Sequence, residues 1–361
     1  MSNPFPTSGR RRFLTGALAM AAGSTAAREA GPGAFVVEDQ RPFKDQTRRL
    51  KITREGRPVA ALLFPTDYPT HFRLKPELHN VCTPTGVPVT GSHEHAFIHH
   101  QSIMCGHGRV QVDGDGRVVD FYRQLPFADG GRADRWHSPT KNLFQLGPSG
   151  IQHVTEARWR AADQVVIQLD LAWQTREAGR ATGDVLAREE RLYRLMVSDG
   201  CMIVDVFSKL QAAGAAVTLH PENDHGYLGV RVHDLIDVED GGVMGDSEGR
   251  KNPSEHFRAA TGAQRAPRWV DCTGRMGNAT VGMALMSHPA NVRNEWYVRE
   301  FGLMIVSAAQ SEAVRITPET PFEFAARFVA HDGVLPPEAA DQLQARFAAV
   351  TADELRAFLK A

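Results

Sequence analysis

The 361-residue sequence has no apolar run approaching the ~20 residues that a helix needs to cross a bilayer, so membrane insertion through helices is not expected. Cysteine is scarce. Cys82, Cys105, Cys201 and Cys272 are far apart and form no C-x-x-C pair, which argues against a zinc ribbon or a dithiol redox motif. Four cysteines allow three pairings in an oxidising compartment, and their spacing decides neither among these nor against buried thiols. Neither charge is in excess, with 41 basic against 42 acidic residues, so nothing favours nucleic acid or an anionic membrane as partner. A neutral or weakly charged small molecule or oligosaccharide fits better. The dinucleotide fingerprint is missing too: Gly106-His107-Gly108 lacks the third glycine and a following helix. There is no internal repeat, low-complexity tract or linker that would demand a second independent domain.

What is present begins with Arg10-Arg11-Arg12-Phe13-Leu14, an apolar run from Ala17 to Ala22, and the small residues Ser24 to Ala27. Charged, apolar and cleavable regions in that order predict a twin-arginine signal over residues 1–27, cleaved near Ala26 or Ala27. The expected location is therefore the periplasm or the exterior, and the expected first partner is the twin-arginine export machinery. Nothing in the sequence sets the oligomeric state.

Short apolar segments separated by turn residues then fill the chain. Leu50 to Thr53, a turn at Glu55-Gly56, and Val59 to Phe64 read as a hairpin. The same rhythm recurs at Arg109 to Val112, Val118 to Phe121, Val165 to Leu171, Arg191 to Val197, Met202 to Phe207, Val217 to Leu219, Gly229 to Val232, Thr280 to Met286, Phe301 to Val306 and Phe322 to Val329. With 32 glycines and many β-branched residues, the pattern predicts a mainly β protein, one large antiparallel β-sandwich over residues 28–335. Beyond it, Ala340, Leu343, Phe347 and Val350 recur at helical spacing, and Ala352 to Leu359 follows as a second short helix. Residues 336–361 thus read as a helical appendage packed outside the sheet.

Five of the 15 histidines, His93, His95, His99, His100 and His107, fall within 15 consecutive residues. Imidazole moves protons near neutral pH and ligates metals, so crowding it after Pro84, Gly86 and Pro88 suggests a loop delivering these side chains to a cleft. Were the segment a helix or tight turn, His95 and His99 could share an ion; extended, they lie roughly 13 Å apart, too far for one. A second constellation, Glu222-Asn223-Asp224-His225-Gly226-Tyr227 running into Arg231, could line a sugar site with an acid, an imidazole and an aromatic face. A third holds Arg293, Trp296 and Arg299, offering forked donors and a flat ring. Of Glu189 and Glu190, an alternating strand can point only one inward.

Several short blocks are similar to the bacterial PmoA family, so-called methane oxygenase PmoA proteins of unknown function. They are Thr83-Pro84-Thr85-Gly86, Glu94-His95 with His99-His100, Asp120-Phe121-Tyr122, Glu189-Glu190-Arg191, Ser247-Glu248-Gly249, His288-Pro289-Ala290-Asn291-Val292-Arg293 and Trp296-Tyr297-Val298-Arg299. The sequence departs from that pattern at Glu94, Gln101 and Tyr122, where the family carries aspartate, arginine and tryptophan. The label implies a membrane-embedded oxygenase subunit, which a chain without a spanning helix does not match. The strand content and the closing Phe322-to-Gly333 segment are similar to the galactose-mutarotase-like β-supersandwich, a likeness that implies a fold and not a function.

The resulting expectation is an exported carbohydrate-active protein, an enzyme of hydrolase, lyase or epimerase type acting on a glycoside or modified sugar. His99 or His100 would move the proton, with His225 or Glu190 as the complementary acid or base. His95, Asp224, Tyr227, Arg231, Arg293, Trp296 and Arg299 would hold the ligand. Two alternatives stay open: a non-catalytic sugar-binding module, and an enzyme using a divalent metal held by His95, His99 and His225. No other cofactor is expected.

Overall fold

The computed structural model describes residues 33–41, 48–65, 73–92, 99–123, 149–176, 183–222, 226–252 and 266–361. The expected export signal lies outside these described residues.

Two eight-stranded antiparallel sheets pack face to face, and a four-stranded sheet adjoins them. Sheet I runs in the order Phe35–Gln40, Arg49–Arg54, Arg57–Leu63, Glu77–His79, Ile103–Cys105, Leu228–Arg231, Leu303–Ser307, Glu295–Arg299. Sheet II runs Val243–Asp246, Trp269–Met276, Ala279–Ser287, Phe322–Asp332, Cys201–Ala212, Val185–Ser198, Gln164–Thr175, Gly150–Ala161. The small sheet joins Val314–Ile316, Val217–Leu219, Val110–Val112 and Val118–Val119. Hairpins follow from local chemistry: at Glu55-Gly56 both residues take positive φ, 52° and 75°, the geometry that a tight two-residue turn between twisted strands requires.

Period-two alternation decides what each sheet buries. Leu78, Ile103 and Val230 of sheet I point inward against Ile167, Leu195 and Val204 of sheet II, all essentially without solvent exposure. Each such side chain contributes about 1.5–3 kcal/mol by leaving water. The outer faces differ. Sheet II carries apolar patches on its outer face where the helices α1 (Pro337–Phe347) and α2 (Ala352–Lys360) cover it: Leu343 packs with Ile203 and Val329, and Leu355 with Val166 and Leu192. On Gln164–Thr175 only Val166 of the outer face packs under α2, and further along Gln168, Asp170 and Gln174 alternate with the inward Ile167, Leu169, Leu171 and Trp173. Sheet I has no helix against its outer face among the described residues, and there the alternation places charged and aromatic side chains instead. All four cysteines are buried thiols with no disulfide.

One buried histidine couples the fold to pH. His331 is almost fully buried, with Nε2 2.9 Å from Asp271 Oδ1 and Nδ1 2.9 Å from the Gly333 carbonyl, so both ring nitrogens face acceptors. Burial disfavours the charged ring, but the Asp271 carboxylate outweighs it and the pKa is raised. A raised folded-state pKa means stability that is complete below the unfolded value of about 6.5 and lost as pH climbs through the folded one. Unfolding free energy should therefore fall across that window in the wild type and fall less in His331→Gln. Equal slopes in denaturant melts between pH 6 and 9 would remove His331 as the cause.

Candidate functional site

Register across sheet I builds the site. Lys51 pairs with Ala61 and Ala61 with His79; Arg231 pairs with Leu303 and Leu303 with Arg299. Continuing the pairings of Leu78 with Ile103 and of Ile103 with Val230 puts Ser102 between His79 and Arg231. One outward-facing row thus carries His79, Ser102, Arg231 and Arg299, with neighbouring strands about 4.8 Å apart. The adjacent row carries Glu77, Met104, Gly229, Ile305 and Tyr297 by the same pairings.

Loop residues pack over this face. The His100 ring stacks on Phe301 at 5.6 Å and 13°, and the guanidinium carbons of Arg231 and Arg299 lie 5.1 and 5.2 Å from the same ring. His99 meets His100 edge-on at 4.4 Å and Tyr122 at 6.0 Å. Beneath them, fully buried Lys75 donates from Nζ to the carbonyls of Tyr122 at 2.5 Å and His99 at 3.1 Å, and sits 4.8 Å from the Tyr122 ring centre. Burial pushes its pKa down to about 7, against the pull of Asp120 and Glu77. Arg123 ties the neighbouring loops, reaching Asp120 at 2.6 Å and Glu222 at 2.7 Å.

Arg231 and Gln101 are among the buried side chains here whose hydrogen-bonding capacity is not met by the described residues. Arg231, with no solvent exposure, gives Nη2 to Asp234 at 2.5 Å while Nε and Nη1 have no hydrogen-bond partner. Gln101, equally buried, has neither its amide oxygen nor its nitrogen satisfied. Leaving such atoms buried and unpaired costs about 1–3 kcal/mol each, a cost that folded chains accept chiefly where the atoms serve something else.

The structure brings together His99, His100, Arg231 and Arg299 of the residues expected from sequence. His95, Asp224 and His225 lie outside the described residues. The others go elsewhere, for reasons of alternation. Trp296 points into the core at 1% exposure, and it is Tyr297, one residue on, that faces outward. Tyr227 is fully buried against Trp173 and Phe322, with its hydroxyl 2.8 Å from Ser208. Arg293 pins a loop, donating to the Ala308 carbonyl and pairing with Glu312. Glu190 projects from the outer face of sheet II, on the far side of the sandwich from the histidines, where it pairs with Arg356 of α2 and lines a cavity of about 220 Å³ beside His288 and Phe207. The inward carboxylate of that pair is Glu189, held in the core by Arg191, Trp173 and Ser208. His107 is a core histidine, its Nε2 2.8 Å from the His220 carbonyl and its pKa lowered by burial to about 4. Among the described residues no three His, Cys, Asp or Glu side chains converge as a metal site, and two of the three proposed ligands, His95 and His225, are not among those residues.

Lys75, Glu77 and His79 escaped the sequence reading. The strand carrying Glu77 and His79 is three residues long, too short for a period to show, though Glu77-Leu78-His79 does alternate, and Lys75 lies in the irregular segment before it.

Among solved structures, the chain is similar to the GH36 α-galactosidase AgaA of Geobacillus stearothermophilus bound to 1-deoxygalactonojirimycin, with 10% identity and a TM-score of 0.34 over 64% of this chain and 40% of that one. It is also similar to YeaD of Salmonella typhimurium, assigned as a mutarotase, with 11% identity and a TM-score of 0.32 over 82% of this chain and 94% of that one. The chain thus spans well under two thirds of the α-galactosidase's length, and the functional reading below rests on neither likeness. No curated protein matches the chain. A family model does match, over residues 49–345, and it is that of a family of unknown function, DUF6807, not one bearing the PmoA label. With most of its length covered, the chain belongs to the family of unknown function DUF6807.

Proposed function

We propose that the outer face of sheet I binds a neutral polyhydroxylated ligand, a glycoside or modified sugar, and that the protein is an exported enzyme transforming it by acid–base chemistry. The observation that carries the reading is the pair of fully buried, incompletely hydrogen-bonded side chains, Arg231 and Gln101, on the face where His100 and the two guanidiniums surround Phe301. Ring hydroxyls would satisfy the stray donors and acceptors, and an aromatic face accepts the C–H side of a sugar. Charges on this face balance, since Arg231 has Asp234, Arg299 has Glu300 and Arg123 has Asp120 and Glu222, so a neutral ligand fits better than an anion.

His99 is half-buried and His100 buried beside Phe301, where an imidazole can exchange protons with a bound hydroxyl. Against a panel of glycosides and keto-glycosides, the His99→Ala/His100→Ala variant should lose about 10²–10⁴-fold in kcat/KM. Equal turnover by variant and wild type would overturn their role. Retained binding without any wild-type turnover would make the protein a sugar-binding module. Export is the expectation of the leader, and Arg10→Lys/Arg11→Lys should leave the precursor in the cytoplasmic fraction if the twin-arginine route is used.

A further inference from the structure

We infer that His79, oriented by Glu77, is a further proton-transfer residue of this site, acting on a hydroxyl of the ligand. The inference rests on the reading of the outer face as a carbohydrate site, and deepens it.

Glu77 is fully buried and receives three donors. His79 Nδ1 lies 3.0 Å from its Oε1, the Ser92 hydroxyl donates to the same oxygen, and Arg73 Nε lies 3.2 Å from Oε2. Burial works to raise its pKa, yet the hydrogen bond from His79 and the charge of Arg73 prevail and bring it to about 2, so the group is a carboxylate at any working pH. An ionised carboxylate accepts and never donates, and this fixes the neutral imidazole as the Nδ1–H tautomer. The Ser92 hydroxyl proton is spent on Glu77, so Ser92 Oγ, 3.1 Å from Nδ1, can only accept there, and Nδ1 keeps its proton toward either oxygen.

The consequence is at the other ring nitrogen. Nε2 carries the lone pair, has no hydrogen-bond partner among the described residues, and belongs to a side chain 39% exposed. The ring stands in the same outward row as Ser102 and Arg231, two strand spacings, about 10 Å, from the guanidinium-bearing strand. That span suits one sugar ring held between them. In the proposed step the ligand O–H bond breaks, its electron pair stays on oxygen and the proton forms the Nε2–H bond. The imidazolium so formed is balanced by Glu77, and return of the proton to a ligand oxygen restores the neutral ring. Of the charged groups on this face, Arg231 with Asp234 and Arg299 with Glu300 lie to one side, Lys51 two strands away on the other, and Arg73 behind Glu77; among these charges only Glu77 touches the imidazole.

The test has two arms. Long-range proton–nitrogen spectra of the wild type should show His79 as the Nδ1–H tautomer when neutral, and Glu77→Gln should weaken that preference; the Nε2–H tautomer in the wild type would overturn the inference, whatever the ligand. Against the glycoside panel, His79→Gln should lower kcat/KM about 10²–10⁴-fold. Turnover that survives His79→Gln within twofold sinks this inference and leaves the carbohydrate reading standing. Absence of wild-type turnover on every glycoside sinks that reading, and the catalytic role of His79 with it.

Discussion

Glu189→Gln should lower the free energy of unfolding by about 3–5 kcal/mol, because it breaks a buried ion pair by removing one partner. Glu189 and Arg191 have no side-chain exposure, and the guanidinium contacts the carboxylate through Nε at 2.7 Å and Nη2 at 2.6 Å. Trp173 Nε1 and the Ser208 hydroxyl add donors at 2.7 and 2.6 Å, and Arg191 also reaches Gln152 at 2.9 Å. The amide that replaces the carboxylate would put two N–H donors where four donors already converge, with the guanidinium charge left uncompensated in the core. Removing both ends, as in Glu189→Met/Arg191→Met, should cost less than the single change, since a hydrophobic pair of similar volume leaves no stranded charge. Glu190→Gln is the contrast: its pair with Arg356 is about a quarter exposed at each end, so the loss should stay within about 1 kcal/mol. Denaturant melts of the four proteins decide it, and a Glu189→Gln loss as small as that of Glu190→Gln would show that the core network is not held by charge.

That adjacent pair also shows how far the sequence could be read. Alternation says that one glutamate goes in and one goes out, but not which, because the answer depends on register. Glu189 lies opposite Leu210 and Leu171, and both neighbours are inward-facing. The same ambiguity separates Trp296 from Tyr297: a larger and more apolar ring won the core, and the smaller phenol took the outer face. Strands with long apolar stretches were legible, as at Met202 to Phe207. The strand Gly150–Ala161 was not, since it is an edge strand whose outer half carries His153, Glu156, Arg158 and Arg160, all at least partly exposed. Val243–Asp246 was not legible either, being four residues long and again at an edge. Histidine clustering located His99 and His100, whereas His79 stands apart from the other histidines, and Ser92, which shares its Glu77 carboxylate, arrives only through folding. Proximity along the chain is thus a guide to sites built on one loop, and a poor one to sites built across strands.

Asp205→Ala should be comparably damaging, by about 3–5 kcal/mol, but with a different local signature. Arg194, Asp205 and Arg327 lie opposite one another on three neighbouring strands of sheet II, on its outer face. Asp205 is fully buried and receives Arg327 through Nε at 2.6 Å and Nη2 at 3.1 Å, and Arg194 through Nε at 2.9 Å. Arg327 spends its remaining nitrogen on the Leu343 carbonyl of α1 at 2.8 Å and lies 4.8 Å from the centre of the Phe347 ring. One carboxylate therefore fixes the arginine that fastens the helix to the sheet. Without it, two guanidiniums face each other across a strand, Arg327 at 3% exposure, and the attachment of α1 is lost before the sandwich itself opens. Hydrogen exchange should accordingly quicken first at the amides of Leu343 to Phe347, at denaturant concentrations where the strand Gln164–Thr175 stays protected. Exchange that rises uniformly over both segments would mean that α1 and the sandwich unfold as one unit, and that the Asp205 network holds the whole protein rather than its helix.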